Sequence, residues 1–178
     1  REINSIINNM NKKKNNNFSI NPKNANWTFS GKVYKSFDVH IKKSVPLYEW
    51  SHSIGCDISD FFIKKNSNCY DLGSSTGSFL KKLAKRTAKK KPNLYGIDEV
   101  KEMVKFSKKN CQKYPNIKFI QNEISKINFK NADFMTSYYT IQFIKPSERQ
   151  KIFNKVFKSL NCGGAFLFFE KVRAPDAR

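Results

Sequence analysis

Tyr70-Asp71-Leu72-Gly73-Ser74-Ser75-Thr76-Gly77 is the stretch that decides how this chain folds. It closes a short strand, Asn68-Cys69-Tyr70-Asp71-Leu72, and opens a helix predicted over Thr76 to Lys90. Glycine at such a turn lets the backbone come close to a ligand. The turn matches neither G-x-x-x-x-G-K-[ST] nor G-x-G-x-x-G, so it does not read as a phosphate-binding loop. It carries a carboxylate, Asp71, which repels phosphate and suits a cationic ligand such as an aminoacyl sulfonium. Twenty-one residues past Gly77, Asp98 ends a second strand, Asn93 to Ile97, where a carboxylate can accept both hydroxyls of a ribose. Glu123 follows a third strand, Asn116 to Gln121, within reach of an adenine amino group.

Outward from this point the pattern alternates between strand and helix. The helix after the glycine turn places Phe79, Leu80, Leu83, Ala84, Thr87 and Ala88 on one face. A second helix is predicted over Val100 to Tyr114 and a fourth strand over Ala132 to Tyr138. Ser147-Glu148-Arg149-Gln150 has the form of a capping box, followed by a stripe of Ile152, Phe153, Val156, Phe157 and Leu160. Gly163 and Gly164 are expected to end that helix by allowing positive φ. Ala165 to Glu170 is so apolar that a central fifth strand is expected. Alternating strands and helices imply an α/β, Rossmann-like parallel sheet with helices on both faces and ligand-binding loops at the strand carboxyl ends.

Before this core, 1–25 is an Asn/Lys-rich arm expected to be disordered, and order is expected from near Trp27. Residues 26–66 read as an N-terminal helical cap. Val33, Phe37, His40 and Ile41 recur at helical spacing, and Leu47 to Phe62 carries Trp50, Ile54, Ile58, Phe61 and Phe62. The core then runs over 67–178.

With 178 residues, 39% of them hydrophobic, the chain can bury one core of ordinary size without disulfide or metal staples. No stretch approaches a membrane span. Cys56, Cys69, Cys111 and Cys162 form no C-x-x-C pair, which speaks against a zinc site or a disulfide framework and for a reducing cytoplasm. The opening on Arg1 shows no secretory pattern and, lacking an initiator Met, suggests a fragment. The formal charge of +20 fits a polyanion partner such as RNA. It equally fits a composition rich in Lys, Asn, Ile and Phe, residues with AT-rich codons. Lys81-Lys82, Lys85-Arg86 and Lys89-Lys90-Lys91 put seven basic residues on and after one helix, either an RNA face or a solvated one.

These motifs together resemble a class I S-adenosylmethionine-dependent methyltransferase fold, and within it the carboxy-S-adenosylmethionine synthases of the tRNA wobble-uridine modification pathway. The resemblance rests on Trp27-Thr28-Phe29, Ser44-Val45-Pro46-Leu47-Tyr48, the glycine turn and Thr140-Ile141-Gln142-Phe143. Pro146-Ser147-Glu148-Arg149-Gln150 and the stretch from Gly163-Gly164-Ala165 to Glu170-Lys171 complete it. It implies a cofactor, S-adenosylmethionine or S-adenosylhomocysteine, or carboxy-S-adenosylmethionine in the synthase. Tyr48 would contact this cofactor, with Gly73, Ser74 and Ser75, beside Asp71, around its methionine part. Asp98 and Glu99 would hold the ribose, and Glu123 and Ile124 the adenine. The family's cofactor-contacting Asn at the end of strand four is replaced here by Tyr138, which cannot offer an amide's donor and acceptor together. The family's carboxylate-binding arginine lies in a C-terminal region beyond Arg178, and the last two strands of the fold are expected to be missing. A homodimer is what the resemblance implies for assembly.

In methyl transfer the sulfonium is already activated, so alignment is the protein's main task and no catalytic residue is nominated. His40 and His52 are candidates by type alone and read as structural. Tyr138 and Tyr139 stand where an acceptor would approach and either bound its pocket or belong to the core. Three functions remain open on this reading. The first is a methyltransferase of unknown acceptor. The second is a synthase in which the deprotonated methyl of the cofactor captures carbon dioxide released from prephenate. The third is a basic RNA-binding module with a vestigial pocket.

Overall fold

A computed structural model describes residues 34–172. The arm at 1–25, the start of order near Trp27 and the position of Val33 lie outside the described residues. The elements are α1 (Phe37–Ser44), α2 (Tyr48–Phe62), β1 (Asn68–Leu72), α3 (Ser78–Arg86), β2 (Asn93–Asp98), α4 (Lys101–Asn110), β3 (Ile117–Gln121), β4 (Ala132–Tyr138), α5 (Pro146–Ser159) and β5 (Leu160–Phe169). Single 3-10 turns at Ile124–Lys126 and Ile141–Phe143 follow β3 and β4.

The five strands run in the order β3-β2-β1-β4-β5, and every neighbouring pair is parallel. The chain winds outward from β1 to β3, then crosses back to β4. The crevice at the β1–β4 reversal, outside the strand carboxyl ends, is where such sheets take ligands.

Strand alternation sends side chains to two cores. Cys69, Leu94, Phe119 and Phe134 face one side and meet Phe79, Leu80 and Leu83 of α3, Val104 of α4 and Cys56 of α2. Leu72, Ile97, Ala132 and Met135 face the other and meet Ile152 and Val156 of α5. This is the α/β parallel sheet with helices on both faces that the strand–helix alternation implies. Among the described residues no helix is long and apolar enough to cross a membrane, and all four cysteines are free thiols.

Several local expectations are corrected. The helix after the glycine turn begins at Ser78, because Gly77 takes a left-handed φ of 74°. It ends at Arg86, where the Thr87 hydroxyl donates to the Leu83 carbonyl at 2.7 Å, and Ala88 is exposed rather than on the buried face. The second helix stops at Asn110 instead of Tyr114. No capping box forms at Ser147: the helix starts on Pro146 after Lys145, and the Gln150 amide donates to Asn154 instead of reaching back. Phe157, expected in the buried stripe, is 80% exposed, as are Phe61 and Trp50 of α2 to a large degree.

The two glycines do not end α5. The helix finishes at Ser159, and Leu160 already pairs with Ala132 in β5. Gly163 and Gly164 sit at an irregularity in the β4–β5 pairing. Gly163 has a φ of 79°, and a Cβ on Gly164 would come within 2.9 Å of the Ala132 carbonyl. Nor is β5 central: among the described strands it is an edge, and its residues are half-buried or exposed. Its apolar side chains pack on both faces without being fully covered. Phe166 and Phe168 meet Phe153 of α5, while Leu167 and Phe169 pack on the α2–α3 side.

Candidate functional site

The turn after β1 is shaped by its backbone. Gly73 has a φ of 76°, and a Cβ there would collide with the Thr140 side chain. The N–H groups of Gly73 and Ser74 both donate to the Ile97 carbonyl at 2.9 Å, stitching the β1 turn to β2. Asp98, at the end of β2, accepts from the Ser75 N–H at 2.8 Å and the Val100 N–H at 2.9 Å. Each carboxylate oxygen therefore keeps a lone pair for a ligand while the carboxylate as a whole fixes the loop. Burial raises the pKa of Asp98, and these two hydrogen bonds pull against it.

Asp71 is deeper, 3% exposed, and its Oδ1 accepts from the Thr136 hydroxyl of β4 at 2.8 Å. Burial pushes its pKa up to about 7; the Thr136 bond opposes the shift and the charge of Asp98 adds to it. The helical segment before the sheet closes over this floor. The Thr76 hydroxyl donates to Asp38 of α1 at 2.7 Å. Tyr48 begins α2 after Leu47, whose φ of 59° turns the chain sharply, and its buried hydroxyl shares a hydrogen bond with Ser78.

These elements enclose one cavity of about 560 Å³, within the range of small-molecule sites. Tyr48, Asp71, Gly73, Ser74, Ser75, Asp98, Glu99, Glu123, Ile124 and Tyr138, the residues singled out in the sequence, all line it. They do so in different ways. Glu123 stands at an exposed rim, ion-paired with Lys126 at 2.6 Å, and that partner holds its carboxyl below the usual range. Ile124 is half-buried against the α5-side core. Tyr138 offers the cavity its ring but not its hydroxyl, which donates to the Ser51 carbonyl at 3.4 Å. The hydroxyl lies over Gly55 of α2, where any Cβ would strike it. Tyr138 thus serves as core and as wall, and Tyr139, with a φ of 55°, is wall as well.

The electrostatics of this cavity oppose those of the molecule. Asp71, Asp98, Glu99, Glu123 and Glu148 line it, five of the 14 acidic residues of the sequence, against Lys145 and Lys171 out of 34 basic ones. In a chain of charge +20, such concentration selects for a cation. Ser74 Oγ, 5% exposed, is buried there without a hydrogen-bond partner, as a site awaiting a polar ligand would have it.

Sequence reasoning missed Asp38 and Thr136, which carry no local signal: each matters only through a partner dozens of residues away. His52, read as structural, lines the cavity. The basic run on α3 is largely tied down. Lys81 donates to Asn110, Lys82 to the Glu49 carbonyl, and Arg86 pairs with Asp57 and Asp60, the latter also near Lys90.

Comparison with known proteins gives a consistent picture. A family model described as a methyltransferase domain matches residues 69–164. A carboxy-S-adenosyl-L-methionine synthase of Staphylococcus epidermidis is 40% identical over 147 residues, which are 82% of this chain and 64% of that protein. One of Campylobacter lari is 30% identical over 158 residues, 88% of this chain and 67% of that protein. The chain thus spans about two-thirds of the length of these relatives. A putative S-adenosyl-L-methionine-dependent methyltransferase of Methanococcus maripaludis superposes with a TM-score of 0.63 at 23% identity, covering 80% of this chain and 64% of that one. An RNA methyltransferase of Salinibacter ruber, in complex with S-adenosyl-L-homocysteine, does so with 0.56 at 23% identity, covering 75% and 84%.

Proposed function

Since the chain belongs to the methyltransferase domain family, we propose that its cavity binds S-adenosylmethionine and that the protein transfers a one-carbon group from it. The observation that carries this reading is the gathering of acids around the glycine turn of an otherwise strongly basic chain. The unpartnered Ser74 hydroxyl fits the same ligand. S-adenosylmethionine supplies a carbon already activated by a positive sulfur. The chain's own residues bind and orient. Asp98 and Glu99 take the ribose hydroxyls, Glu123 and Ile124 the adenine, and Asp71, Gly73, Ser74, Ser75 and Tyr48 surround the amino-acid part. Tyr48, Tyr138 and Tyr139 exclude water from the reacting side, where alignment is the main source of rate.

The 40% identity to a named synthase favours a second reading of the same cavity, in which the cofactor accepts a carboxyl group instead of donating its methyl. The described arginines, Arg86 and Arg149, are engaged elsewhere, Arg149 with the carbonyls of Ile144 and Gln142. In this reading the incoming carboxylate is held by Lys145 or Lys171, the described cations that line the cavity, or by a residue outside 34–172. Mass spectrometry of the cofactor that copurifies with the longest natural form separates the two: a carboxylated species supports the synthase, S-adenosylmethionine or its homocysteine product the methyltransferase.

Calorimetric titration of S-adenosylmethionine and S-adenosylhomocysteine tests the binding itself. The expected result is micromolar affinity in the wild type and a loss of about 100-fold or more in Asp98→Ala, which removes both the ribose acceptor and the loop brace. Equal affinity in the two proteins would overturn the assignment.

A further inference from the structure

The cavity has an end that its adenosine-type residues do not reach. Asp98 and Glu123 stand at the carboxyl ends of β2 and β3, on one side of the sheet. On the other, α2 packs over β4 and β5 and lays Tyr48 and His52, one helical turn apart, along the cavity wall.

His52 is 2% exposed. Its ring is enclosed by Tyr48 at 4.5 Å, Tyr138 at 4.6 Å and Phe79 at 5.5 Å between centroids. Its Nε2 is buried without a hydrogen-bond partner. A histidine kept only for packing normally has its nitrogens satisfied, because an orphaned buried polar atom destabilises the fold. Burial drives the pKa of the imidazole down to about 3, and the charge of Lys82 adds to that, so the ring is neutral. Neutral imidazole offers Nε2 as an N–H donor in one of its two tautomers.

An adenosyl amino acid brings two charged groups to this end. Its ammonium has Asp71. Its carboxylate has no buried cation among the described lining residues, since Lys145 and Lys171 are both exposed. A neutral N–H donor in an aromatic box can serve a carboxylate without burying a second ion.

We propose that His52 Nε2–H donates a hydrogen bond to the α-carboxylate of the bound ligand, making His52 a specificity residue for adenosyl amino acids over plain adenosyl thioethers. This rests on the reading of the cavity as an S-adenosylmethionine site. Ligand binding then supplies the partner that the unliganded protein lacks, and the residue trades apo stability for recognition.

The test is calorimetry of S-adenosylhomocysteine and 5′-methylthioadenosine, which lacks the amino-acid end, with wild type, His52→Leu and His52→Gln, alongside thermal melting without ligand. His52→Leu is expected to weaken S-adenosylhomocysteine about tenfold, leave 5′-methylthioadenosine unchanged and melt no lower than wild type. His52→Gln, whose amide N–H reaches a similar position, is expected to recover most of the affinity. Unchanged S-adenosylhomocysteine binding in His52→Leu overturns the inference. So do equal losses for both ligands, or a lowered melting point with His52→Gln equally impaired; these mark a packing residue. A wild type that binds both ligands in those cases leaves the cofactor reading standing, whereas a wild type that binds neither removes that reading and this inference together.

Discussion

On the β1–β2–β3 side of the sheet, the loops of the cavity are held by backbone groups and by turn residues whose type announces their conformation. Gly73 and Ser74 donate to the Ile97 carbonyl, Ser75 donates to Asp98, and the glycines at 73 and 77 take the left-handed φ that their turns need. On the β4–β5 side, the loop after β4 is held by side chains reaching in from elsewhere. Glu170, at the end of β5, accepts from the Ile141 N–H at 2.6 Å and the Gln142 N–H at 3.2 Å. Arg149 of α5 donates to the carbonyls of Gln142 and Ile144. One half of the cavity is shaped mainly by its own turns. The other adds to its backbone hydrogen bonds the side chains of Glu170 and Arg149. The first should therefore fail through its backbone and the second through its packing.

The sharpest way to break this contrast uses two glycines with nearly the same φ. Gly73→Ala adds left-handed strain and a collision with Thr140, and is expected to cost about 4 kcal/mol and to abolish ligand binding. Gly163→Ala, with a φ of 79° but nothing within 4 Å of the added carbon, is expected to cost about 1 kcal/mol. Urea unfolding measures both; similar costs would show that crowding at Thr140 plays no part. A second pair probes α5. Ile152→Ala, at 1% exposure, is expected to lose about 3 kcal/mol. Phe157→Ala, at 80% exposure, is expected to stay within about 0.5 kcal/mol. A large loss at Phe157 would mean that this face is covered in solution.

The same contrast explains what could be read before folding. The glycine turn, the acid at the end of β2 and the strand–helix alternation around them are signalled by residue types whose chemistry acts locally, so the cavity floor was legible. At β4–β5 the signals misled. Ser147 and Gln150 have the spacing of a capping box, yet the helix starts at Pro146, two residues before the box would start it, and leaves the box unused. Gly163 and Gly164 look like a helix end, but Gly163 supplies a left-handed turn within β5 and Gly164 lets the strand approach the Ala132 carbonyl. An apolar run suggests a central strand, and helices on both faces of an edge produce the same run. Tyr138 illustrates the limit most clearly: the direction of its hydroxyl depends on Gly55, 83 residues earlier, and no local pattern links the two.

Asp71 tests the floor by pH. Its folded pKa, about 7, lies above the unfolded value of about 3.9. The folded chain therefore binds more protons than the unfolded one between these values. This contribution to stability is fully present below about pH 4 and is lost as the pH rises through about 7. A cationic ligand reverses the preference, favouring the carboxylate. Affinity for S-adenosylmethionine should rise as the pH passes about 7, with proton release below that point. Calorimetry in buffers of different ionisation enthalpy counts the released protons. Asp71→Asn should flatten both the stability and the affinity profiles while keeping the neighbour of Thr136 in shape. An unchanged pH dependence in that variant would assign the titration to another group.

Tyr138 tests the side-chain-held half by two substitutions. Tyr138→Phe removes only the long hydrogen bond to the Ser51 carbonyl and should cost less than about 1 kcal/mol, with ligand affinity unchanged because that hydroxyl faces α2. Tyr138→Asn goes further. It deletes a ring stacked on Phe169 at 5.2 Å and packed against Phe79 and His52, which is expected to cost about 3 kcal/mol. It also places at the end of β4 the amide that the family resemblance implies for this position. If the affinity for S-adenosylmethionine rises in this destabilised variant, the tyrosine was retained for packing at the ligand's expense. If the affinity falls along with stability, the aromatic wall itself belongs to the binding site, and the two halves of the cavity are less independent than their construction implies.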